Sequence, residues 1–317
     1  LYALSSWREI AYLVAPRALL IGGFLLLPLV LLPWPYWGRV MLSVCVLALL
    51  AVSFDFLANY VGLVCLGGAF FYGVGGYTAA LLNTQWGLPP LLSIPLASVV
   101  GAALCTAALA PCLPLRGIYF AIVTLMYPLL MTRIIEAADI LGGTEGFRGI
   151  AGFSSAWTEH YGIILALLIG VFALRRFVAE DVGLSIRAVK DNDQAVRASG
   201  ISVPRTKAKA VFLASLLGCF AGAYYIHLYR SVGISAFALD LSILPIAATV
   251  IGGGGTLVGP ILGALLLVPM SEVLRDFGSL RIVIYALVLT GFVVLRSEGI
   301  LLYASRKYQQ FERWVEV

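Results

Sequence analysis

The sequence predicts an all-α polytopic membrane protein of about ten transmembrane helices, built as one domain over residues 1–317. Two observations predict it. Hydrophobic residues make up 61% of the chain and charged residues 12%, with a mean hydropathy of +0.99, whereas soluble domains are about one quarter charged. Apolar stretches near the roughly 20 residues that a bilayer-crossing helix needs recur along the whole length, so no soluble domain has room to fold separately.

Taken in order, the first element expected is a short amphipathic helix on the membrane surface at 1–16, opened by the capping box Ser6-x-x-Glu9 and stopped by Pro16. Apolar windows then place spans at 18–37, 40–59, 62–82, 91–113, 117–135, 161–178, 207–229, 239–251, 257–274 and 280–296. With the amino terminus inside, 15 Lys/Arg fall on internal loops and tails and six outside, among the internal ones Arg8, Arg17, Arg116, Arg296, Arg306, Lys307 and Arg313. This follows the positive-inside rule and makes both termini cytoplasmic.

Glycine punctuates these spans at 62–77, 142–149 and 252–260. A helix broken at membrane depth is tolerated where the freed backbone is packed in protein or lines a cavity, so the first and last runs are candidates for a translocation path. Close helix packing through small residues is the alternative for any one run. Path candidates here are Asp55, Asn59, Gly67, Gly68, Tyr72, Tyr77, Thr144, Gly253 and Gly254. Asp55, near the end of the second span with Asn59 and Tyr60 close to its face, either reaches the headgroups or has a structural or path role. Two other acidic groups, Glu136 with Arg133 and Glu272 with Arg275, sit at i,i+3 and are expected to pair.

Charge gathers in one place. Residues 175–209 hold eight Lys/Arg and four Asp/Glu, and 179–206 read as a cytoplasmic loop. Within it, Asp191-x-x-Gln194 resembles a capping box, Gly200 suits a left-handed helix end and Pro204 blocks continuation, so a two-turn helix is expected at 192–199. So short a helix needs a surface to dock on. Its expected exposed residues, Ala195, Val196, Ala198 and Ser199, form a flat small-residue face that suits a groove on another protein. A basic loop lying on anionic lipid is the alternative.

Several chemistries are missing. No Gly-Lys dipeptide occurs, so the chain has no phosphate-binding loop for a nucleotide. The two histidines, His160 and His227, lack partners at metal-binding or acid–base spacing and read as polar interfacial residues. Five cysteines without C-x-x-C spacing read as small buried hydrophobes. The net charge of +5 is the insertion bias of a membrane protein rather than a sign of nucleic-acid binding. A shortage of mid-span carboxylates disfavours ion coupling.

Longer motifs carry a resemblance. Gly183-Leu184 through Arg187-Ala188 and Asp191 to Ala195, Gly200 and Ile201, together with 115–124, Gly142-Gly143-Thr144 and Ile251-Gly252-Gly253 through Gly259-Pro260, are similar to the LivM-type permease subunit of ABC importers for branched-chain amino acids and related urea or amide solutes. The resemblance covers roughly 40–300. It implies a type II importer-like fold and a role as half of a translocation path in the bacterial cytoplasmic membrane. Implied partners are a sister permease subunit, two ATPase subunits that hold ATP and magnesium, an extracytoplasmic solute-binding protein and lipid, with no cofactor on this chain. Residues 184–201 would then receive the ATPase stroke, through Arg187, Asp191, Gln194, Ala195, Ala198, Gly200 and Ile201. Two departures bear on substrate: Gly68 stands where many relatives have His, and Glu145 with Arg148 follows Thr144 where relatives have Asn-Gly-Leu. Glu145 and Arg148 are therefore expected at the docking or entry face. A stand-alone channel for a small solute such as urea is the other functional class, and it leaves the helix at 192–199 unexplained.

Overall fold

The computed structural model describes residues 22–29, 33–115, 117–277 and, beyond these, 280, 283–284, 286–287, 290–291, 299–303 and 306. The expected surface helix at 1–16 lies outside the described residues, as do Arg8, Arg17, Arg116, Arg296, Lys307 and Arg313, and the spans 18–37 and 280–296 are described only in part.

Helix α1, Pro35–Asp55, begins on a proline, which needs no N–H partner in a first turn. A π-helical turn, Phe56–Val61, continues it and ends where Gly62 turns left-handed at φ 76°. The resulting 27-residue apolar run is about 40 Å long at helical rise, enough to cross a bilayer. It is the central post of the molecule, with Cys45, Ala48, Ala51, Phe56 and Leu57 all fully buried, and α5, α8, α9 and α10 pack around it. The remaining helices are α2 (Gly68–Trp86), α3 (Pro90–Leu109), α4 (Ile118–Ala138), α5 (Ala156–Ala179), α6 (Asp181–Asp191), α7 (Asp193–Ala198), α8 (Val203–Tyr229), α9 (Asp240–Gly252) and α10 (Gly259–Val273). Two short strands, β1 (Phe147–Arg148) and β2 (Ser231–Val232), pair antiparallel at the end of the bundle opposite the charged loop.

Five runs are long and apolar enough to cross a membrane: Pro35–Val61, Pro90–Cys112, Ile118–Ala138, Ala156–Ala179 and Val203–Tyr229. The chain is therefore a multi-pass, all-α membrane protein. Helices α9 and α10, of 13 and 15 residues, span only about 20 Å each, short of a roughly 30 Å hydrocarbon core.

The expected span 62–82 is corrected at its start, because residues 62–67 are not helical and α2 begins at Gly68. Gly62 leaves the helical region, and the freed amides find partners: Leu63 N–H donates to Leu57 O at 2.9 Å and Leu66 N–H to Thr124 Oγ1 at 3.0 Å. A β-carbon at Gly67 would stand 3.1 Å from the Thr124 carbonyl oxygen, a tight approach. Helix α2 thus starts beside Leu50 and Ser53 of α1, well inside a run that ends at Val61. The start of α9 meets it there, with Ala69 N–H donating to Ser242 Oγ at 3.0 Å and Gly68 pressed on the Leu241 carbonyl. Ser242 of α9 thus satisfies a first-turn amide of α2, which is what an apolar surround demands.

The glycines serve close packing as well. A β-carbon at Gly222 of α8 would stand 1.9 Å from Tyr72 O, and one at Gly263 of α10 1.8 Å from Ala248 O. Both pairs, α2 with α8 and α9 with α10, are in backbone contact, as small residues permit in membrane bundles.

Candidate functional site

The charged loop folds back as two helices. Gly183, Ile186 and Val189 bury one face of α6. Val189, Val196 and Val203 then form a small apolar cluster that ties α6, α7 and the start of α8 together. Beside it, Lys207 Nζ meets Asp193 Oδ2 at 3.2 Å with both side chains nearly buried.

Two expectations for this loop are corrected, and the part played by Pro204 is extended. The cap of α7 is Asn192, whose side-chain oxygen accepts from Gln194 N–H at 2.9 Å and Ala195 N–H at 3.2 Å; Asp191 is instead the last residue of α6. Two helices meeting at Asn192 put the extended cap residue one position later than the charge pattern suggests. Val196 is buried rather than exposed, because it completes the valine cluster. Pro204 stands in the first turn of α8, where it starts a helix as well as preventing extension of the previous one.

Gly200 takes φ 81° with open space around it. Gly200 N–H donates to Arg197 O at 3.0 Å and Ile201 N–H to Val196 O at 3.3 Å, the two bonds of a Schellman ending. Gln194, Ala195, Ala198, Ser199, Gly200 and Ile201 are left exposed.

The loop docks on the π-turn of α1. Lys190 Nζ donates to Asn59 O at 2.8 Å, its stem lies over Gly62, and the Arg187 guanidinium stands 5.5 Å from the centre of the Tyr60 ring. The same turn grips the glycine loop between α9 and α10. Asp55 is fully buried, so the headgroup reading of this residue is corrected. Its Oδ1 accepts from Gly255 N–H at 2.6 Å and Asn59 Nδ2 at 2.7 Å, and its Oδ2 from Leu257 N–H at 3.0 Å. Tyr60 OH donates to Gly255 O at 2.7 Å. A carboxylate buried in an apolar bundle persists where donors surround it, and here two are backbone amides that no helix satisfies. Gly253 sits at φ 105°, and Gly254 lies against Asn59 and Asp55. Asp55, Asn59, Gly253 and Gly254 thus come together, far apart in sequence. One continuous set of contacts runs from α6 through the π-turn to the start of α10.

Other candidates lie elsewhere. Tyr77 stacks on Phe237 at 5.6 Å and its buried hydroxyl has no partner. Tyr72 lines a cavity between α1, α2, α8, α9 and α10. Thr144, Glu145 and Arg148 are exposed at the opposite end from the charged loop, and Glu145 and Arg148 pair with each other at 2.9 Å. Arg133 pairs with Glu136 at 2.9 Å and Arg275 with Glu272 at 2.8 Å. His227 is buried rather than interfacial, with Nδ1 2.7 Å from Ala151 O and Nε2 3.2 Å from Ser93 Oγ, and fastens a loop to the bundle. Sequence reasoning missed Lys190, Asn192, Lys207 and Asp193 as anchors. Asn192 was legible as a second cap candidate beside Asp191; the other three carry no signal beyond their charge.

Packed spans, a helix that begins within the bundle and a polar loop pinned beneath it define a multi-pass helical membrane protein. The family described as the permease component of branched-chain amino acid transport systems matches residues 36–296, and the chain belongs to it. Among curated relatives, it is 27% identical to the high-affinity branched-chain amino acid transport system permease protein LivM of Salmonella typhimurium, over 80% of this chain and 67% of that protein. It is also 27% identical to LivM of Escherichia coli, over 84% and 72%. A probable branched-chain amino acid transport permease protein LivH of Methanocaldococcus jannaschii matches at 27% over 60% of this chain and 64% of that protein. No solved structure matches the chain.

Proposed function

We propose that this chain is one of two nonidentical permease subunits of an ATP-driven importer for branched-chain amino acids or a related small polar solute. It forms half of the translocation path in the bacterial cytoplasmic membrane, with both termini and the loop 179–206 on the cytoplasmic side. A sister permease packs beside it, two ATPases carrying ATP and magnesium dock beneath it, and a solute-binding protein delivers cargo at the face of Glu145 and Arg148. The relatives' naming as transport-system permeases supports the assembly.

The single observation that carries the reading is the continuous contact from α6 to the glycine loop. An ATPase pressing on the exposed face of Gln194, Ala195, Ala198 and Ile201 pushes α6, and α6 is bonded through Lys190 and Arg187 to the turn that holds residues 253–257. A rigid bonded train of this kind converts a cytoplasmic stroke into a shift of α10. The test is purification of the chain from native membranes and an ATPase assay of what accompanies it. ATPases stimulated by one loaded binding protein support the importer and name its cargo. A lone chain that is indifferent to ATP and leaks solute in liposomes overturns it.

A further inference from the structure

One wall of the cavity lined by Tyr72 is not helical. Ser231, Val232, Gly233, Ser235, Ala236 and Ala238 line it, and all come from the strap 231–238 that crosses from the end of α8 to the start of α9. The strap consists of β2 and a 3-10 turn, Ile234–Phe237, at the end of the bundle opposite the charged loop. What holds it in place therefore decides how the cavity opens at that end.

The strap has one large anchor. Phe237 is 3% exposed, and its ring fills the notch left by Gly73 of α2, where a β-carbon would overlap it. One turn further along α2, Tyr77 stacks on the same ring at 5.6 Å with the planes 16° apart. Val232 and Ala236 are buried too, but each covers far less apolar surface than an aromatic ring. The backbone bonds of the strap lead elsewhere. Ala236 N–H donates to Gly233 O at 3.0 Å and Ala238 N–H to Ser235 O at 3.1 Å, both within the strap. Phe147 pairs with Val232 and Arg148 with Ser231, and Gly146 is pressed against the Val232 carbonyl. These bonds tie the strap to the loop before Gly149 rather than to a helix. Gly149 at φ 76° and Arg230 at φ 56° lie side by side where loop and strap rejoin the bundle, linked by Ile150 N–H to Arg230 O at 3.3 Å. Hinges fall at such element ends.

The seated state carries a cost. With the Phe237 ring in its notch, the Tyr77 hydroxyl is buried and has no hydrogen-bond partner among the described residues. A buried hydroxyl without a partner is penalised, and the penalty ends when water reaches it. Unseating the ring exchanges apolar burial for that relief, which narrows the gap between two states of the strap.

We propose that residues 231–238 are a gate over the cavity, latched by the Phe237 ring in the Gly73 notch and moved together with the loop that bears Glu145 and Arg148. Release withdraws the ring, admits water to the Tyr77 hydroxyl and widens the cavity at the end opposite the charged loop. The inference rests on the reading of the chain as a permease and adds what holds that permease shut.

Spin-label distances test it on the intact complex, or on the whole chain if it purifies alone, in nanodiscs and in a Cys112→Ser background, Cys112 being the native cysteine that is not fully buried. One label pair is Ser235→Cys with Gln85→Cys, and the other Glu145→Cys with Gln85→Cys, all at exposed positions. Each pair is expected to show a seated and a released distance in the same proportion. Phe237→Ala is expected to raise the released fraction severalfold, and Tyr77→Phe, which keeps the ring and removes the unpartnered hydroxyl, to lower it. Gly73→Ala is expected to act like Phe237→Ala when alone and to add little to it, because the overlap it creates is with the Phe237 ring. One unchanged distance in every variant, additive effects of Gly73→Ala and Phe237→Ala, or a strap pair that shifts while the Glu145 pair does not, overturns the gate. Tyr77→Phe leaves the packing intact and serves where a notch variant fails to fold; a released fraction no lower than the parent's overturns the gate there too. If ATPases co-purify and drive uptake while the strap keeps one distance throughout, the gate falls and the importer stands. If the strap responds as expected and no ATPase accompanies the chain, the importer falls and the gate stands.

Discussion

Asp55 shows how a single buried charge is used. Its two oxygens take three donors, two of them amides of the glycine loop, so the side chain acts as a missing piece of backbone for residues 253–257. Asp55→Asn keeps the shape but turns an NH2 toward at least one of those donors. It is expected to destabilise the protein by about 1–3 kcal/mol, the usual cost of a buried donor left unsatisfied, read as a lower melting temperature in detergent. Because the glycine loop is the far end of the contact with α6, a complex of the proposed kind that carries the variant is also expected to move less solute for each ATP its ATPases hydrolyse. Gly200 makes a different kind of prediction. No atom lies within 4 Å of a β-carbon there, so only its φ of 81° restricts the residue. Gly200→Val is expected to strain the Schellman ending by about 1–2 kcal/mol and uncouple hydrolysis from transport, and Gly200→Asn, which tolerates that conformation, to restore coupling. Normal coupling in Gly200→Val would sink the role given to α7.

At the scale of elements, α7 exists through its surroundings. Six residues cannot hold a helix in water alone; Asn192 caps it, Gly200 ends it, and Val196 anchors it to Val189 and Val203. Asn192→Ala is expected to cost about 1 kcal/mol and to speed amide exchange in 193–198, while Asp191→Ala, at the end of α6, leaves that exchange unchanged. The reverse order of effects would return the cap to Asp191. The broken helices depend on mutual support in the same way. The start of α2 is buried in the bundle, and Ser242 Oγ of α9 serves its first turn. Glycine in the sequence marked both breaks, yet it could not distinguish a path from close packing. The structure shows two uses of glycine: the α9–α10 turn is held in Asp55's grip, whereas Gly222 and Gly263 let backbones touch.

For the whole molecule, the charged loop and the β1–β2 end lie at opposite ends of the bundle. Membrane-impermeant maleimide is expected to label Glu145→Cys in intact cells that lack an outer barrier, and Gln194→Cys only after permeabilisation; the opposite pattern would invert the proposed orientation. Native cysteines interfere little, since four of the five are buried. The sequence by itself determined the class of the protein, the position of most membrane-length helices and the gathering of charge at 175–209. Those follow from hydropathy, helix ends and charge density, which are local properties that a bilayer amplifies. Only the tertiary structure decided that α2 starts at Gly68, that Asn192 rather than Asp191 caps α7, and that Asp55 faces the glycine loop instead of the headgroups. Each depends on a partner distant in the chain: Thr124 for the segment before Gly68, Val203 for the turn around Val196, Gly255 and Leu257 for Asp55. A buried polar group is satisfied by whichever donor the packing brings within about 3 Å, and that choice is made by the arrangement of helices, which no local stretch of sequence specifies.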